Sequence, residues 1–178
     1  MSLESLRAAL PPYARDLDSS LAVLVNETTL SDAQKWGCFV AAAHAIGVAP
    51  VVRAMEAAAR EAGLSEEAMT AAKAAAAIMG MNTVYYRALH LMHNPEYRSL
   101  PARLRMNVIA NPGVDKTDFE LWSMTVAAIN GCGACLDAHE AELKKRSLSP
   151  TAIQATLRIA AVINAVSRVM AGEAAARA

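Results

Sequence analysis

Alanine fills many of the apolar positions along the chain, in long segments separated by polar residues, glycine and proline. Alanine is the best helix former, whereas strands favour Val, Ile, Thr and aromatic residues, and runs of those residues are almost absent. The pattern therefore predicts an all-α protein of about eight helices. We place them near residues 12–26, 31–46, 51–62, 65–80, 82–93, 118–130, 133–146 and 150–172.

Local signals at the starts of these helices support the assignment. Two segments, Ser31–Gln34 and Thr117–Glu120, have the spacing of a capping box, in which two side chains satisfy free backbone N–H groups at a helix start. Ser65 and Ser149 are predicted caps of later helices, and Pro150 suits the first helical turn.

The chain also contains an internal similarity. The segment Lys35–Ala42 resembles Leu121–Ala128, and their two tryptophans lie 86 residues apart. Leu64–Ser65 matches Leu148–Ser149 at an offset of 84 residues, so the two offsets nearly agree. An internal repeat is favoured over chance similarity between alanine-rich helices.

We therefore predict that residues 1–178 form a single domain made of two helical repeats. The first repeat would cover about residues 12–97, and the second, with the connecting segment, about residues 98–178. Separate domains are disfavoured because each repeat would have only a thin core.

Composition and charge exclude several classes of protein. The 17 Lys and Arg residues balance 17 Asp and Glu residues, which argues against a basic nucleic-acid binder or an anionic-lipid binder. No strongly apolar run of about 18 residues suggests a membrane span, and the first residues lack a secretory pattern. We expect a cytoplasmic protein, and three cysteines in a reducing compartment suggest reactivity, metal binding or burial.

The segment Gly131–Cys135 carries the chemistry, because its Cys-x-x-Cys motif follows one predicted helix and opens the next. Cys-x-x-Cys spacing and a helix N-terminus both lower a thiol pKa. His139 lies four residues after Cys135, on the same helical face, and could exchange a proton with a thiol near neutral pH. Glu120 could orient His139 or relay its proton.

Three other interpretations remain open. Glu120 could serve only its capping box, as Gln34 does in the first repeat. Cys132, Cys135 and His139 could bind zinc with Glu120 as the fourth ligand, although no second Cys-x-x-Cys motif is present. Both cysteines could also be inert core residues.

Other candidate residues are assigned to the core or left without chemistry. Cys38 falls in the apolar face of its helix and is predicted to be buried. Met79 is interpreted as core filler, and Tyr86 is given no chemical role.

The arrangement of these motifs resembles the alkyl hydroperoxide reductase D (AhpD) proteins of the carboxymuconolactone decarboxylase-like superfamily. Their pattern is a Glu, eleven residues, Cys-x-x-Cys, three residues and a His, and the chain matches it at Glu120, Cys132, Cys135 and His139. The segment Ile109–Gly113 is also similar to the family's linker.

The resemblance implies a homotrimeric antioxidant enzyme without a bound cofactor. Lipoyl groups of a 2-oxoacid dehydrogenase component would reduce its disulfide, and the dithiol would reduce a peroxiredoxin of the alkyl hydroperoxide reductase C type, with weak direct peroxidase activity. Cys135 would be the inner thiol that attacks peroxide, Cys132 the outer thiol that resolves it, and Glu120 and His139 the proton relay. Some members have a second His where this chain has Ala134.

The first repeat has Ile46, Ala49 and Arg53 at the positions that match Cys132, Cys135 and His139, so it is expected to be a scaffold. Alternatives to the redox enzyme are a decarboxylase or isomerase of the wider superfamily and a zinc-stabilised helical interaction module.

Overall fold

The computed structural model describes residues 1–177, which form α-helices joined by short connections and contain no strand. The all-α prediction is confirmed. Ten α-helices follow one another, with a single 3₁₀ turn at Pro12–Ala14 before the second. They are α1 (Leu3–Ala8), α2 (Arg15–Val25), α3 (Asp32–Ile46), α4 (Ala49–Glu61), α5 (Glu66–Leu91), α6 (Glu96–Ser99), α7 (Asn107–Ala110), α8 (Lys116–Ile129), α9 (Gly133–Lys145) and α10 (Pro150–Ala175).

The helices differ from the prediction in one large respect, because α5 is continuous where two helices were expected. Glycine inside a helix costs only about 1 kcal/mol relative to alanine, so Gly80 weakens α5 without ending it. The buried face of α5 continues past Gly80 through Asn82 and Thr83, and this packing keeps the helix intact. Helices α1, α6 and α7 are short and were missed.

The helix caps were predicted correctly with one exception. Ser31 and Gln34 form a reciprocal capping box at α3, and Ser65 and Ser149 cap α5 and α10. The capping box predicted around Glu120 is wrong, because α8 starts earlier than expected. The carboxylate of Asp115 caps that helix and accepts a hydrogen bond from the Thr117 N–H at 2.7 Å.

The core lies where α3, α5, α8 and α10 pack together. Trp122 of α8 is fully buried and its indole N–H donates to the backbone carbonyl of Gln34 at 3.2 Å. Gly37 of α3 allows this close approach, since a Cβ atom there would lie 2.1 Å from the Trp122 ring. One hydrophobic cluster joins side chains from Leu3 to Val166, and the division into two repeats remains a prediction.

Helix α10 is the one helix among residues 1–177 whose length and composition would allow it to cross a membrane, which the sequence did not suggest. The core helices of globular proteins can share this length and composition. Here α10 packs against α2, α3 and α8, and Ile159, Ile163 and Val166 are fully buried in the core. Core packing therefore accounts for its apolar face.

Candidate active site

The turn between α8 and α9 holds both cysteines of the Cys-x-x-Cys motif. Helix α8 ends at Ile129, and Gly131 adopts a left-handed backbone conformation with φ of 64°, which glycine accepts without strain. Cys132 is the N-cap residue of α9, and its sulfur accepts a hydrogen bond from the Cys135 N–H at 3.3 Å. Both sulfur atoms therefore lie at the start of a helix, as predicted.

Cys132 and Cys135 are joined by a disulfide bond, with their Cα atoms 5.3 Å apart. Cys132 is completely buried, whereas 6% of Cys135 is exposed. Both cysteines are thus buried, and the assignment of Cys135 as the inner thiol and Cys132 as the outer thiol stays a prediction. Cys132 caps α9, while Cys135 lies in the first helical turn and borders a cavity.

Glu120 and His139 form a direct, largely buried pair beside this disulfide. The Nδ1 atom of His139 lies 2.6 Å from Oε2 of Glu120, and Lys116 Nζ lies 3.5 Å from Oε1. Burial alone would raise the pKa of Glu120, but the hydrogen bond to His139 and the charges of His139 and Lys116 outweigh it, so that the pKa is lowered. Glu120 therefore holds a negative charge against the His139 ring, and the interpretation as a cap alone is wrong.

Lys116 is itself fixed by the segment that connects the two predicted repeats. Its ammonium group donates to the backbone carbonyl of Ile109 in α7 as well as approaching Glu120. The linker thus contributes to the electrostatics of the Glu120–His139 pair.

A cavity of about 260 Å³ opens onto Cys135 and His139. Its walls come from α9, from α5 and from the linker, and most of them are apolar. The lining residues are Met79, Asn82, Tyr86, Met106, Ile109, Ala134, Cys135, Ala138 and His139. Cys135 and His139 share one helical face, as their spacing predicted, and both are accessible from this space.

Three cavity residues on α5 were missed by the sequence reasoning, which treated the first repeat as a scaffold. Met79, Asn82 and Tyr86 follow one another at intervals of three and four residues, so they share a face of α5. That spacing was visible in the sequence, but it did not reveal which element the face would contact. The first repeat therefore forms a wall of the site, and the expectation of a mere scaffold is corrected.

The same helix also holds the cysteine turn in place. The side chain of Asn130 donates to the hydroxyl oxygen of Thr83 at 2.9 Å, and the guanidinium of Arg87 donates to the backbone carbonyl of Asn130. Asn130 is the C-cap of α8 and precedes Gly131. Helix α5 therefore positions the segment that carries the disulfide.

The third cysteine is separate from this chemistry. Cys38 of α3 is fully buried, and burial raises the pKa of its thiol to about 12. The prediction of a core cysteine is confirmed.

Within residues 1–177 no group of three or more His, Cys, Asp or Glu side chains is arranged to hold a metal ion. Nothing in the side-chain geometry thus favours the zinc interpretation of Cys132, Cys135, His139 and Glu120.

An all-helical fold with a Cys-x-x-Cys disulfide, a buried Glu–His pair and an apolar cavity defines a class of candidate thiol–disulfide oxidoreductases. The sequence model of the carboxymuconolactone decarboxylase family matches residues 95–178. An alkyl hydroperoxide reductase AhpD of Hyphomonas neptunium is 61% identical over 98% of this chain and 97% of its own length.

Two further relatives carry the same name. The protein of Maricaulis maris is 58% identical over 97% of this chain and 99% of its own length. That of Caulobacter vibrioides is 54% identical over 98% and 96% of the two chains. The chain belongs to the AhpD family within the carboxymuconolactone decarboxylase-like superfamily, and the resemblance seen in the sequence is confirmed.

Proposed function

We propose that this protein is a cytoplasmic antioxidant enzyme that passes electrons from lipoyl groups through the Cys132–Cys135 dithiol. The electrons would go to a partner peroxiredoxin of the alkyl hydroperoxide reductase C type and, more weakly, directly to alkyl hydroperoxides. The observation that carries the proposal is the disulfide whose Cys135 borders an apolar cavity together with His139. The relatives' names support a peroxide-related activity.

Direct reduction of a hydroperoxide would start at Cys135, which is the cysteine that the cavity reaches. The Cys135 thiolate attacks the terminal oxygen of the hydroperoxide, the O–O bond breaks, and the sulfur is oxidised to sulfenic acid. The leaving alkoxide takes up a proton and departs as the alcohol. Cys132 then attacks the sulfenic sulfur, the disulfide forms and water leaves.

The disulfide would be reduced again by thiol exchange with a dihydrolipoyl group. One dihydrolipoyl sulfur attacks the disulfide to form a mixed disulfide, and its second sulfur then displaces the enzyme thiol. Two electrons and two protons reach the enzyme while the lipoyl group closes its ring. The apolar walls provided by Met79, Met106 and Ile109 suit a hydrocarbon arm and an uncharged dithiolane.

Glu120 and His139 would move the protons in both half-reactions. Glu120 binds Nδ1 of His139 and so leaves Nε2 of the ring for the cavity. In the tautomer with hydrogen on Nδ1, Nε2 accepts the thiol proton, and the charged ring then donates it to the alkoxide. Ala134 lies between the cysteines, so His139 is the histidine to which we assign this transfer.

Dihydrolipoyl groups are supplied in cells by a lipoylated 2-oxoacid dehydrogenase component, which we propose as the reducing partner. We also propose that the protein works as a homotrimer. No cofactor is required to stay bound, because the lipoyl group acts as a co-substrate.

The reductant can be tested by exposing the oxidised protein to dihydrolipoamide or to glutathione at matched thiol concentration. Free thiols are alkylated and counted by intact mass, and a Cys38→Ala variant removes the third thiol from the count. We expect a rapid gain of two alkylated thiols with dihydrolipoamide, mapped to Cys132 and Cys135. The lipoyl-linked mechanism would be rejected if a confirmed disulfide gained thiols equally fast with glutathione or did not react.

A further inference from the structure

The side chain of Asn82 is buried at the cavity wall without a partner. Only 5% of Asn82 is exposed, and its Oδ1 atom has no hydrogen-bond partner among residues 1–177. Among residues 1–177, the side-chain hydroxyls of Ser123 and Ser167 are also buried without a hydrogen-bond partner. Asn82 differs from both because it lines the cavity that contains Cys135 and His139.

The neighbours of Asn82 on α5 have their polar groups satisfied. The Thr83 hydroxyl donates to the Met79 carbonyl at 2.6 Å and accepts from Asn130 at 2.9 Å. A buried amide that binds nothing in the protein destabilises the fold, since it loses its hydrogen bonds to water. Core packing would be served better by an apolar residue of the same size, so the amide is suited to a ligand in the cavity.

The chemistry of the cavity identifies the ligand class. Its walls are apolar apart from the amide of Asn82, the hydroxyl of Tyr86, the ring of His139 and the sulfur of Cys135. An alkyl hydroperoxide fits this set, because it combines a hydrocarbon body with one O–H donor and two adjacent acceptor oxygens. A dihydrolipoyl thiol is a much weaker donor and would gain less from an amide oxygen.

We infer that Asn82 binds the hydroperoxide group of the substrate and holds its terminal oxygen towards Cys135, an inference that rests on the proposed peroxide reduction. The Oδ1 atom accepts the hydrogen bond of the hydroperoxide O–H. That hydrogen stays on the terminal oxygen when the Cys135 sulfur bonds to it and the O–O bond breaks. His139 then protonates the other oxygen, which leaves as the alcohol.

The experiment compares Asn82→Leu with the wild type in a single turnover. Reduced protein is mixed with tert-butyl hydroperoxide, and loss of alkylatable thiols is followed by intact mass. Diamide, a thiol oxidant without an O–H group, serves as the comparison oxidant. We expect the hydroperoxide rate constant to fall about 10-fold, the effect of one hydrogen bond, while the diamide rate stays within twofold.

Thermal unfolding distinguishes ligand binding by Asn82 from a purely structural role, because loss of a structural residue would lower the melting temperature. Because Leu removes an unpaired buried amide, the melting temperature of Asn82→Leu should be unchanged or raised. Met69→Leu is the matched control, since it changes another buried residue of α5 that does not line the cavity, with little change in volume, and should keep both rates. Asn82→Ala repeats the test if the Leu variant does not fold.

The possible outcomes distinguish the role of Asn82 from the proposed peroxidase activity. Equal hydroperoxide rates in wild type and Asn82→Leu would overturn the role of Asn82 and leave the proposed function intact. A parallel fall with hydroperoxide and diamide would assign Asn82 to general thiol reactivity and also overturn the inference. If the reduced wild type reacted with diamide but not with the hydroperoxide, the proposed peroxidase activity itself would fail, and the inference with it.

Discussion

Residues 1–177 contain two Glu–His pairs, and the contrast between them indicates what makes one a candidate relay. In the first half, Nε2 of His44 lies 2.8 Å from Glu56, and Glu56 also pairs with Lys73 at 2.6 Å. In the second half, Nδ1 of His139 lies 2.6 Å from Glu120. Exposed side-chain fractions are 28% and 19% for the first pair but only 11% and 6% for the second.

Hydrogen bonding alone therefore does not distinguish a structural pair from a catalytic one. Burial alone would raise the pKa of Glu56, but the hydrogen bonds and charges of Lys73 and His44 outweigh it and lower the pKa to about 2. Arg60 also lies 3.3 Å from this carboxylate. Glu120 is buried and orients a ring that borders a cavity with Cys135. The two pairs differ in their surroundings: low solvent access and a neighbouring sulfur make the second pair the candidate for proton transfer.

The largest expected effect comes from removing the sulfur beside the second pair. Cys135→Ser should lower catalytic cycling with dihydrolipoamide and tert-butyl hydroperoxide by more than about 1,000-fold, because the nucleophile is lost. Cys132→Ser should also abolish cycling, because no disulfide can form. Cys38→Ser is the control and should retain cycling; normal cycling in either site variant would refute the dithiol mechanism.

Removing the carboxylate of each pair tests the comparison directly. Glu120→Gln should lower peroxide turnover by about 100-fold, the lower end of the range for general acid–base catalysis, since Gln keeps a hydrogen bond to His139 but not the charge. Glu56→Gln should leave turnover within twofold. Steady-state rates on both variants are the measurement, and a similar loss in both would show that the pairs do not differ in role.

A third test concerns the packing of α3, which carries His44, against α8, which carries Glu120. Gly37→Ala places a methyl group against the buried Trp122 ring, and overpacking of this kind costs about 1–3 kcal/mol. We expect a melting temperature lower by several degrees, measured by circular dichroism. Gly172→Ala, at a glycine whose added Cβ meets nothing within 4 Å, is the control and should not lower it.

The smallest expected effect is the contribution of Glu56 to stability in acid. Its pKa falls from an ordinary 4.5 to about 2 on folding, so the ionised carboxylate stabilises the fold above pH 4.5. This stabilisation is lost as the pH falls from 4.5 towards 2. It should amount to about 1 kcal/mol, because solvent screens the half-exposed partners Lys73 and Arg60.

Urea unfolding of the wild type and Glu56→Gln at pH 7 and pH 3 would measure this contribution. The difference in unfolding free energy between wild type and Glu56→Gln should be smaller at pH 3 than at pH 7. A larger difference in unfolding free energy at pH 3 would contradict the assigned direction of the Glu56 pKa shift.

The comparison also explains which parts of the molecule were predictable. The helical class followed from alanine-rich segments and cap residues such as Ser31 and Ser149, because these signals act over three or four residues. The shared face of Cys135 and His139 followed in the same way from their spacing. These interactions are local, so the order of residues alone determines them.

Prediction failed where a local signal competed with packing. Two helices were predicted near residues 65–80 and 82–93, but burial of the face around their junction keeps α5 continuous. Thr117 was assigned as a cap, but Asp115 has the stronger position, because its carboxylate reaches two backbone N–H groups. Glu120 therefore does not cap α8, and its carboxylate pairs with His139 instead.

The sequence by itself determined the helical class, the Cys-x-x-Cys motif at a helix start and the four residues of the candidate site. Only the tertiary structure decided that Asn82 of α5 lines the same cavity as Cys135, and that Glu120 meets His139. The physical reason is distance along the chain. Contacts between α5 and α9 depend on how the whole core packs, and no short-range pattern encodes them.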